Sequence, residues 1–263
     1  MGAIVLASTS AQAFNFTRGT QLGSCANLLT TPAASCTTKH GFTLTAGSEH
    51  STKDKKVLEV KTVNDNFIGD DGYIGDVKGV GVSRGNKDVV SGEVNLKEYI
   101  DLTLAGNGGI LGSLDFSFLY PPGEFYDTVY EVVSADTSGL TGKLTVKSTT
   151  SALWEVFSGT TQLNSLTQTL TAISNSTDGN SATKTPEARG GGWYSVLNPF
   201  GKQSVKTIRL TAPTQPGGQA FHAQNNDYAL VGATKVPEPA TLLGLGTIAG
   251  LMTVSRRRKA VQG

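Results

Sequence analysis

Apolar and polar residues alternate with a period of two along most of this chain. Such alternation places one face of a strand against a core and the other face toward water. Glycine, asparagine and aspartate separate the alternating runs, as expected of turns between antiparallel strands. The pattern predicts strands at residues 42–46, 57–63, 94–104, 114–120, 128–133, 140–146, 152–157, 204–212 and 227–232.

Helical periodicity is rare in the same region. Residues 163–173 have apolar side chains at helical spacing, but their threonine content favours a strand, so both assignments stay open. Residues 174–192 are polar and rich in glycine, which predicts an exposed loop. Since no internal repeat is visible, the chain is expected to be all-β, with an antiparallel β-sandwich of two packed sheets.

The C-terminal region has a different pattern. Residues 240–255 are uncharged, and the four cations Arg256, Arg257, Arg258 and Lys259 follow directly. A helix over the uncharged run would be about 24 Å long, somewhat less than a hydrocarbon core of roughly 30 Å. We expect one short transmembrane helix with its basic end in the cytoplasm. A buried core helix is the alternative, but such a helix would carry scattered charges.

Just before this run stands the triplet Pro237, Glu238 and Pro239. Together with the leucine- and glycine-rich run and the basic end, it resembles the PEP-CTERM sorting signal of Gram-negative bacteria, cyanobacteria included. The resemblance covers residues 236–259. It implies cleavage near the triplet by an exosortase, a membrane-embedded cysteine transpeptidase. It also implies passage from the inner membrane to the outer surface or extracellular matrix, and a link to exopolysaccharide.

The N-terminal region is consistent with export. Residues 3–13 are apolar or small and end in Ala11, Gln12 and Ala13, a small-x-small cleavage pattern before Phe14. No basic residue precedes them, so residues 1–13 are expected to be a signal peptide with a truncated n-region. A buried N-terminal strand is the alternative. The predicted organisation is therefore a signal peptide at 1–13, a sandwich domain at 14–235 and a sorting signal at 236–259.

The charge balance argues against one class of function, nucleic-acid binding, and the cysteines indicate the compartment. Outside the C-terminal signal the chain has 18 basic and 20 acidic residues with no basic patch, so nucleic-acid binding has no electrostatic basis. The two cysteines, Cys25 and Cys36, are expected to form a disulfide in an oxidising compartment. Two free thiols or a metal pair are the alternatives.

An acidic, glycine-rich segment is the one candidate metal site. Calcium is bound by six to eight hard oxygen ligands from flexible loops, and four carboxylates lie within twelve residues here. The segment lacks the spacing of a helix–loop–helix calcium site, so a solvated turn is the alternative and no other cofactor is expected. The candidate ligands are Asp65, Asp70, Asp71 and Asp76.

Two further patterns suggest chemistry only weakly. Ser83 lies in a Gly-x-Ser-x-Gly sequence, but the residues after it do not begin the helix that a nucleophile elbow requires. The candidates for a sugar-stacking platform are the aromatic residues Trp154, Trp193, Tyr120, Phe125, Tyr126 and Tyr130, with core and loop packing as the alternative. Phe125 and Tyr126 follow a proline- and glycine-rich turn, so we expect them to be the exposed pair. We therefore predict a non-enzymatic surface or matrix protein. The alternatives are a carbohydrate-binding or adhesion module, an ice-binding protein and a serine hydrolase.

Overall fold

A computed structural model describes residues 12–49, 56–68, 74–83, 92–95, 97–121, 131–148, 150–176, 191–213 and 226–237. Strands account for 64% and helices for 6% of the described residues, so the all-β prediction is confirmed. The strands are β1 Gln12–Asn15, β2 Ser35–Thr37, β3 Phe42–Ser48, β4 Val57–Ile68, β5 Ile74–Ser83, β6 Glu98–Leu104, β7 Gly109–Leu119, β8 Val132–Thr137, β9 Leu140–Ser148, β10 Ser151–Ser158, β11 Thr161–Gln162, β12 Gln168–Thr171, β13 Ser174–Ser176, β14 Gly191–Leu197, β15 Ser204–Val205, β16 Thr207–Thr211 and β17 Ala229–Lys235.

These strands form two antiparallel sheets. The first sheet has the order β13-β14-β7-β17-β5-β4, with β1 paired to β17 and β15 paired to β7. The second has the order β11-β10-β9-β8-β16-β6-β3-β2, with β12 paired to β10. Because β17, the last strand, lies inside the first sheet, the sheet is complete only when the end of the domain is in place.

The core lies between the two sheets. In β6 every second side chain is buried, as the period-two pattern predicts. The rings of Phe14 in the first sheet and Phe42 in the second meet edge to face, with centroids 5.1 Å apart. Burying a side chain of this size stabilises the fold by roughly 1.5–3 kcal/mol. The fully buried side chains come from both sheets and include Leu44, Leu58, Leu102, Phe116, Trp154, Tyr194 and Tyr228.

The predicted strand at 94–104 is shorter in the structure. Val94 forms an isolated bridge with Tyr228, and β6 begins only at Glu98. Lys97 has a φ of 64°, and the Asn95 N–H donates to Oε2 of Glu98 at 3.0 Å. This turn interrupts a run whose alternation alone looks continuous.

Residues 163–173 combine both conformations that the sequence left open. A 3-10 turn covers Asn164–Leu166, and β12 follows at Gln168–Thr171. The strand pairs with β10, so Leu170 reaches the core opposite Ala152. The predicted exposed loop at 174–192 is wrong at both of its ends, where β13 covers Ser174–Ser176 and β14 begins at Gly191, and the two strands pair with each other. Residues 177–190 lie outside the described residues.

Both predicted membrane-directed segments fall largely outside the described residues, which exclude 1–11 and 238–263. Among the described residues there is no helix with the length and apolar character needed to span a membrane. The transmembrane helix therefore stays a prediction. The strand β1 begins at Gln12, so the predicted cleavage point after Ala13 lies within this strand. Cleavage there would remove Gln12 and Ala13 from β1.

Candidate functional site

The first and last strands that the structure describes, β1 and β17, lie side by side in the first sheet. Gln12 is opposite Lys235, and Asn15 is opposite Gly232. On its other edge β17 pairs with β7, and the N–H of Val236 donates to the carbonyl of Ile110 at 2.9 Å. The backbone is therefore held in the sheet up to residue 236.

Proline explains why the ladder ends at this point. Pro237 has no N–H and a fixed φ, so it cannot continue an antiparallel ladder as a donor. The burial changes over the same residues, since Ala233 is buried and Val236 is 37% exposed. Pro237, the first residue of the predicted triplet, thus directly follows the folded domain. Glu238, Pro239, Arg256, Arg257 and Arg258 lie outside the described residues.

Core contacts anchor β1 against β17. Phe14 is 1% exposed and packs against both Phe42 and Phe16. The N–H of Phe16 donates to the carbonyl of Val231 at 2.8 Å. A side chain at Gly232 would overlap the carbonyl oxygen of Phe14, so this position requires glycine for the two strands to approach.

The predicted disulfide is present. Cys25 and Cys36 are joined by an S–S bond of 2.03 Å, and both residues are buried. The bond ties the 3-10 helix Gly23–Leu29 to β2 at the edge of the second sheet. Next to it, Oγ of Ser24 accepts the N–H of Thr37 at 2.8 Å, so the helix and the strand are also joined by hydrogen bonding.

The four calcium candidates are only partly described. Asp65 lies in the backbone of β4 and Asp76 in β5, whereas Asp70 and Asp71 lie outside the described residues. Within the described ranges, no group of three or more histidine, cysteine, aspartate or glutamate side chains is arranged to hold a metal ion. A calcium site at this segment therefore remains a prediction.

Strand packing explains the Gly-x-Ser-x-Gly pattern where it is described. Ser83 is the last residue of β5, opposite Val57, and is 4% exposed. Gly81 lies against the backbone of Glu93, where any side chain would overlap it. Close backbone approach thus accounts for Gly81, and Ser83 is the last residue of β5. The segment that would form a strand-to-helix turn, residues 84–91, lies outside the described residues.

The aromatic candidates for sugar stacking divide into two groups. Trp154 and Trp193 are buried, and the Trp154 Nε1–H donates to the carbonyl of Pro199 at 3.1 Å. Tyr120 is buried as well, so these three side chains pack in the interior. Phe125, Tyr126 and Tyr130 lie outside the described residues.

Sequence reasoning missed a buried charged cluster beside β17. The strands β5 and β17 pair directly at Val80 and Leu230. Beside this pair, Glu93 and Val94 lie between the two strands. The Val82 N–H donates to the Glu93 carbonyl, and the Val94 N–H donates to the Tyr228 carbonyl. We call Glu93–Val94 the wedge. The alternation of apolar and polar residues does not reveal this position, because Glu93 and Val94 belong to no longer strand and each forms a bridge with a different partner.

The wedge places three charged side chains together. Nζ of Lys61 lies 2.7 Å from Oε1 of Glu93, and Asp227 hydrogen-bonds to Glu93. Burial raises the pKa of the Asp227 carboxyl well above its usual range, and the nearby Glu93 and Glu98 raise it further. Burial also raises the pKa of Glu93, although Lys61 opposes that effect. The cluster is a buried, hydrogen-bonded pair of carboxyl groups, Glu93 and Asp227, with Lys61 as the cation beside them.

Comparison with known proteins bears on the end of the chain. The family model of the PEP-CTERM protein-sorting motif matches residues 235–259. No match was found among curated proteins or solved structures. The motif implies an exosortase as the processing partner and export to the cell envelope or surface. Since the matched residues begin at the end of β17, the chain is a β-sheet protein that carries a PEP-CTERM protein-sorting motif directly after its folded domain.

Proposed function

We propose that this protein is a non-enzymatic component of the outer surface or extracellular matrix of a Gram-negative cell, where it associates with exopolysaccharide. The observation that carries the proposal is the direct passage of β17 into the matched sorting motif, without an intervening domain. The nearly balanced charge of the remaining chain suits a neutral, hydrated polymer rather than a strongly charged partner.

Processing is tested on protein isolated from its native host. Intact mass should give an N-terminus at Phe14 and a C-terminus near Pro237. A chain that keeps Lys259 in the outer-surface fraction would contradict the proposal. Association with the polymer is tested separately, in cells unable to make exopolysaccharide. There the mature protein should move from the matrix to the medium, and unchanged retention would contradict that part.

A defined carbohydrate-binding site is the second candidate, and the outer face of the second sheet favours it. Four threonines lie in register across β2, β3, β6 and β16, with strand spacing of about 4.8 Å. Buried residues flank these threonines in sequence, apart from the exposed Lys206 before Thr207, so the threonines share the opposite face. The four residues, which we call the threonine row, are Thr37, Thr43, Thr103 and Thr207.

The surroundings of the row add little net charge. Two residues further along β16, Arg209 donates two hydrogen bonds of 2.8 Å to Asp101, so the two opposite charges compensate each other. The guanidinium carbon of Arg209 also lies 3.8 Å from the centre of the Tyr99 ring. Hydroxyl groups on a flat, nearly neutral surface can exchange hydrogen bonds with sugar hydroxyls. The row therefore offers a repeating set of polar contacts to an extended glycan.

The second candidate is tested by binding of the full-length protein to purified exopolysaccharide. Thr43→Val and Thr103→Val together keep the shape but remove two hydroxyls, and should weaken binding about tenfold. Thr169→Val, on the distant strand β12, is the matched control. Equal binding by all three proteins would contradict a site at the threonine row. Thermal hysteresis of the same samples tests the ice-binding alternative.

A further inference from the structure

Lys61, Glu93 and Asp227 meet from three distant parts of the chain. Lys61 lies in β4 at the edge of the first sheet, Glu93 belongs to the wedge, and Asp227 comes two residues before β17. Glu93 contacts both of the others. Its Oε1 lies 2.7 Å from Nζ of Lys61, and its carboxylate accepts a hydrogen bond from the Asp227 carboxyl. One carboxylate thus holds an amine and a second carboxyl group beside each other.

The surroundings keep water away from these groups. Glu93 is 1% exposed and Asp227 is 6% exposed. The ring of Phe118 lies against the amine, with Nζ of Lys61 5.1 Å from its centre. Phe118 has a φ of 60° in β7, a conformation that a bulky residue adopts only where the surrounding structure enforces it. The fold therefore holds an aromatic ring in a strained position directly beside the amine.

The three groups are the ones that formation of an amide bond requires. The reaction needs an amine as nucleophile, an uncharged carboxyl group as electrophile and a base that takes protons from the amine. Lys61 stabilises the ionised form of Glu93, whereas burial and the neighbouring carboxylates raise the pKa of Asp227 and keep it protonated. Asp227 is therefore the electrophile, because a charged carboxylate repels a nucleophile, and Glu93 is the base.

We propose that the folded domain joins Lys61 to Asp227 by an amide bond between Nζ and Cγ. Glu93 takes a proton from the Lys61 ammonium, and the free amine attacks Cγ of Asp227. Glu93 then gives this proton to the departing hydroxyl of Asp227 and takes a second one from the nitrogen. The C–O bond to that hydroxyl breaks as the amide forms. The products are one amide, one water molecule and a protonated Glu93, so atoms and charge balance.

Two features favour the bond over the ion pair. Burial penalises both members of a charged pair, whereas an amide carries no charge. The fold also holds the reacting groups together, which raises their effective concentration. The ion pair in the structure is the state before this reaction, and a titrating Asp227 belongs to chains that have not yet reacted.

The bond has a structural consequence for the first sheet. It connects β4, at one edge, to β17, whose end leads into the matched sorting motif. The sheet then cannot separate between these strands without breaking a covalent bond, which suits a protein exposed outside the cell. The reaction needs neither an exosortase nor a polysaccharide, so it stands or falls independently of the proposed function.

The intact mass of the full-length chain tests the bond. Chain refolded from inclusion bodies starts unlinked, and it should become lighter by one water molecule as it folds. Trypsin should then release residues 57–78 joined to residues 210–235, because it does not cut after Lys61 once the amine is part of an amide. The linked chain should also melt roughly 10–20 °C above an unlinkable variant, since the bond closes a long loop.

Three variants separate the roles of the side chains. Lys61→Arg keeps a positive charge beside Glu93 but lacks the amine, so its mass should not change. Glu93→Gln removes the base and should slow the loss of water about a hundredfold or more. Lys206→Arg is the matched control, because Nζ of Lys206 donates to the carbonyls of Leu104 and Gly106 instead. This control should lose water as fast as the wild type.

The possible outcomes are distinct. An unchanged mass of the folded wild-type chain would overturn the cross-link and leave the proposed function standing. A bond from Lys61 to Glu93, identified in the same digest, would overturn the assignment of Asp227 as the electrophile. Loss of water by Lys61→Arg would also contradict the proposal, because the water would then come from another part of the chain.

Discussion

Nζ of Lys61 and Oε1 of Glu93 lie 2.7 Å apart, in an ion pair whose carboxylate side chain is 1% exposed. Burying such a pair costs much of the solvation free energy of both charges, so its net contribution to stability is small while the loss of one partner is costly. The second carboxyl group, Asp227, sits beside the pair, and among the described residues it shares Lys61 with Glu93. Because burial raises the pKa of this second acid, we expect the stability of the unlinked domain to depend on pH.

Replacing Asp227 with Asn should flatten that pH dependence. The pKa of Asp227 is raised in the folded protein, so the folded state holds a proton that the unfolded chain releases above about pH 4. Its contribution to stability is therefore complete below about pH 4 and is lost as pH rises through the raised pKa. Asn has no proton to lose and still donates a hydrogen bond to Glu93. Urea unfolding across a pH series measures the slope.

Tyr228→Phe is the control for that experiment. Tyr228 is the next residue and is fully buried, and burial raises its pKa well above its usual range, so it does not titrate in acid. This variant should keep the wild-type slope of unfolding free energy against pH. A slope for Asp227→Asn as steep as that of the wild type would show that Asp227 is not the cause.

Replacing Ser195 with Ala should raise the pKa of Asp115. Burial raises the pKa of this carboxyl to about 6, and Oγ of Ser195 opposes the rise by donating to Oδ1 at 2.6 Å. That hydrogen bond stabilises the ionised form, so its removal moves the titration midpoint above 6. Carbon NMR of the Asp115 carboxyl measures the midpoint directly. Ser134→Ala, which removes a donor from Asp136 instead, should leave it in place.

Replacing Gly81 with Ala should destabilise the domain by about 1–3 kcal/mol, the usual cost of overpacking. The added methyl group would overlap the backbone of Glu93 and push the wedge away from β5. Thermal unfolding measures the loss, and a change below about 0.5 kcal/mol would mean that the wedge adapts without cost. A separate variant, Ser83→Ala, tests the serine of the same pattern, and it should leave any hydrolytic activity of the protein unchanged.

Removing the Cys25–Cys36 disulfide should destabilise the domain by roughly 2–3 kcal/mol. The bond closes a loop between residues 11 apart in sequence, and it limits the conformations of the unfolded chain. Cys25→Ser with Cys36→Ser should lower the urea midpoint, and a reducing agent should lower the wild-type midpoint to a similar value. The reducing agent should have no effect on the double variant, and any further loss would indicate a second mechanism.

The sequence alone determined the type of structure and the presence of a sorting motif. Period-two alternation predicted the strands because each strand has one buried and one solvated face, as in β6. The sorting motif and the Cys25–Cys36 pair were readable because both are local in sequence. Each of these features is a short stretch of sequence, so it can be recognised without knowing which distant residues it contacts.

Only the tertiary structure decided which strands meet. It joined β1 to β17 although they are more than two hundred residues apart, and it inserted Glu93 and Val94 between β5 and β17. It also aligned Thr37, Thr43, Thr103 and Thr207 across four strands. Alternation assigns a residue to a face but carries no register between strands, since register follows from packing across the whole core. For that reason the strands beside the sorting motif could not be predicted from the sequence.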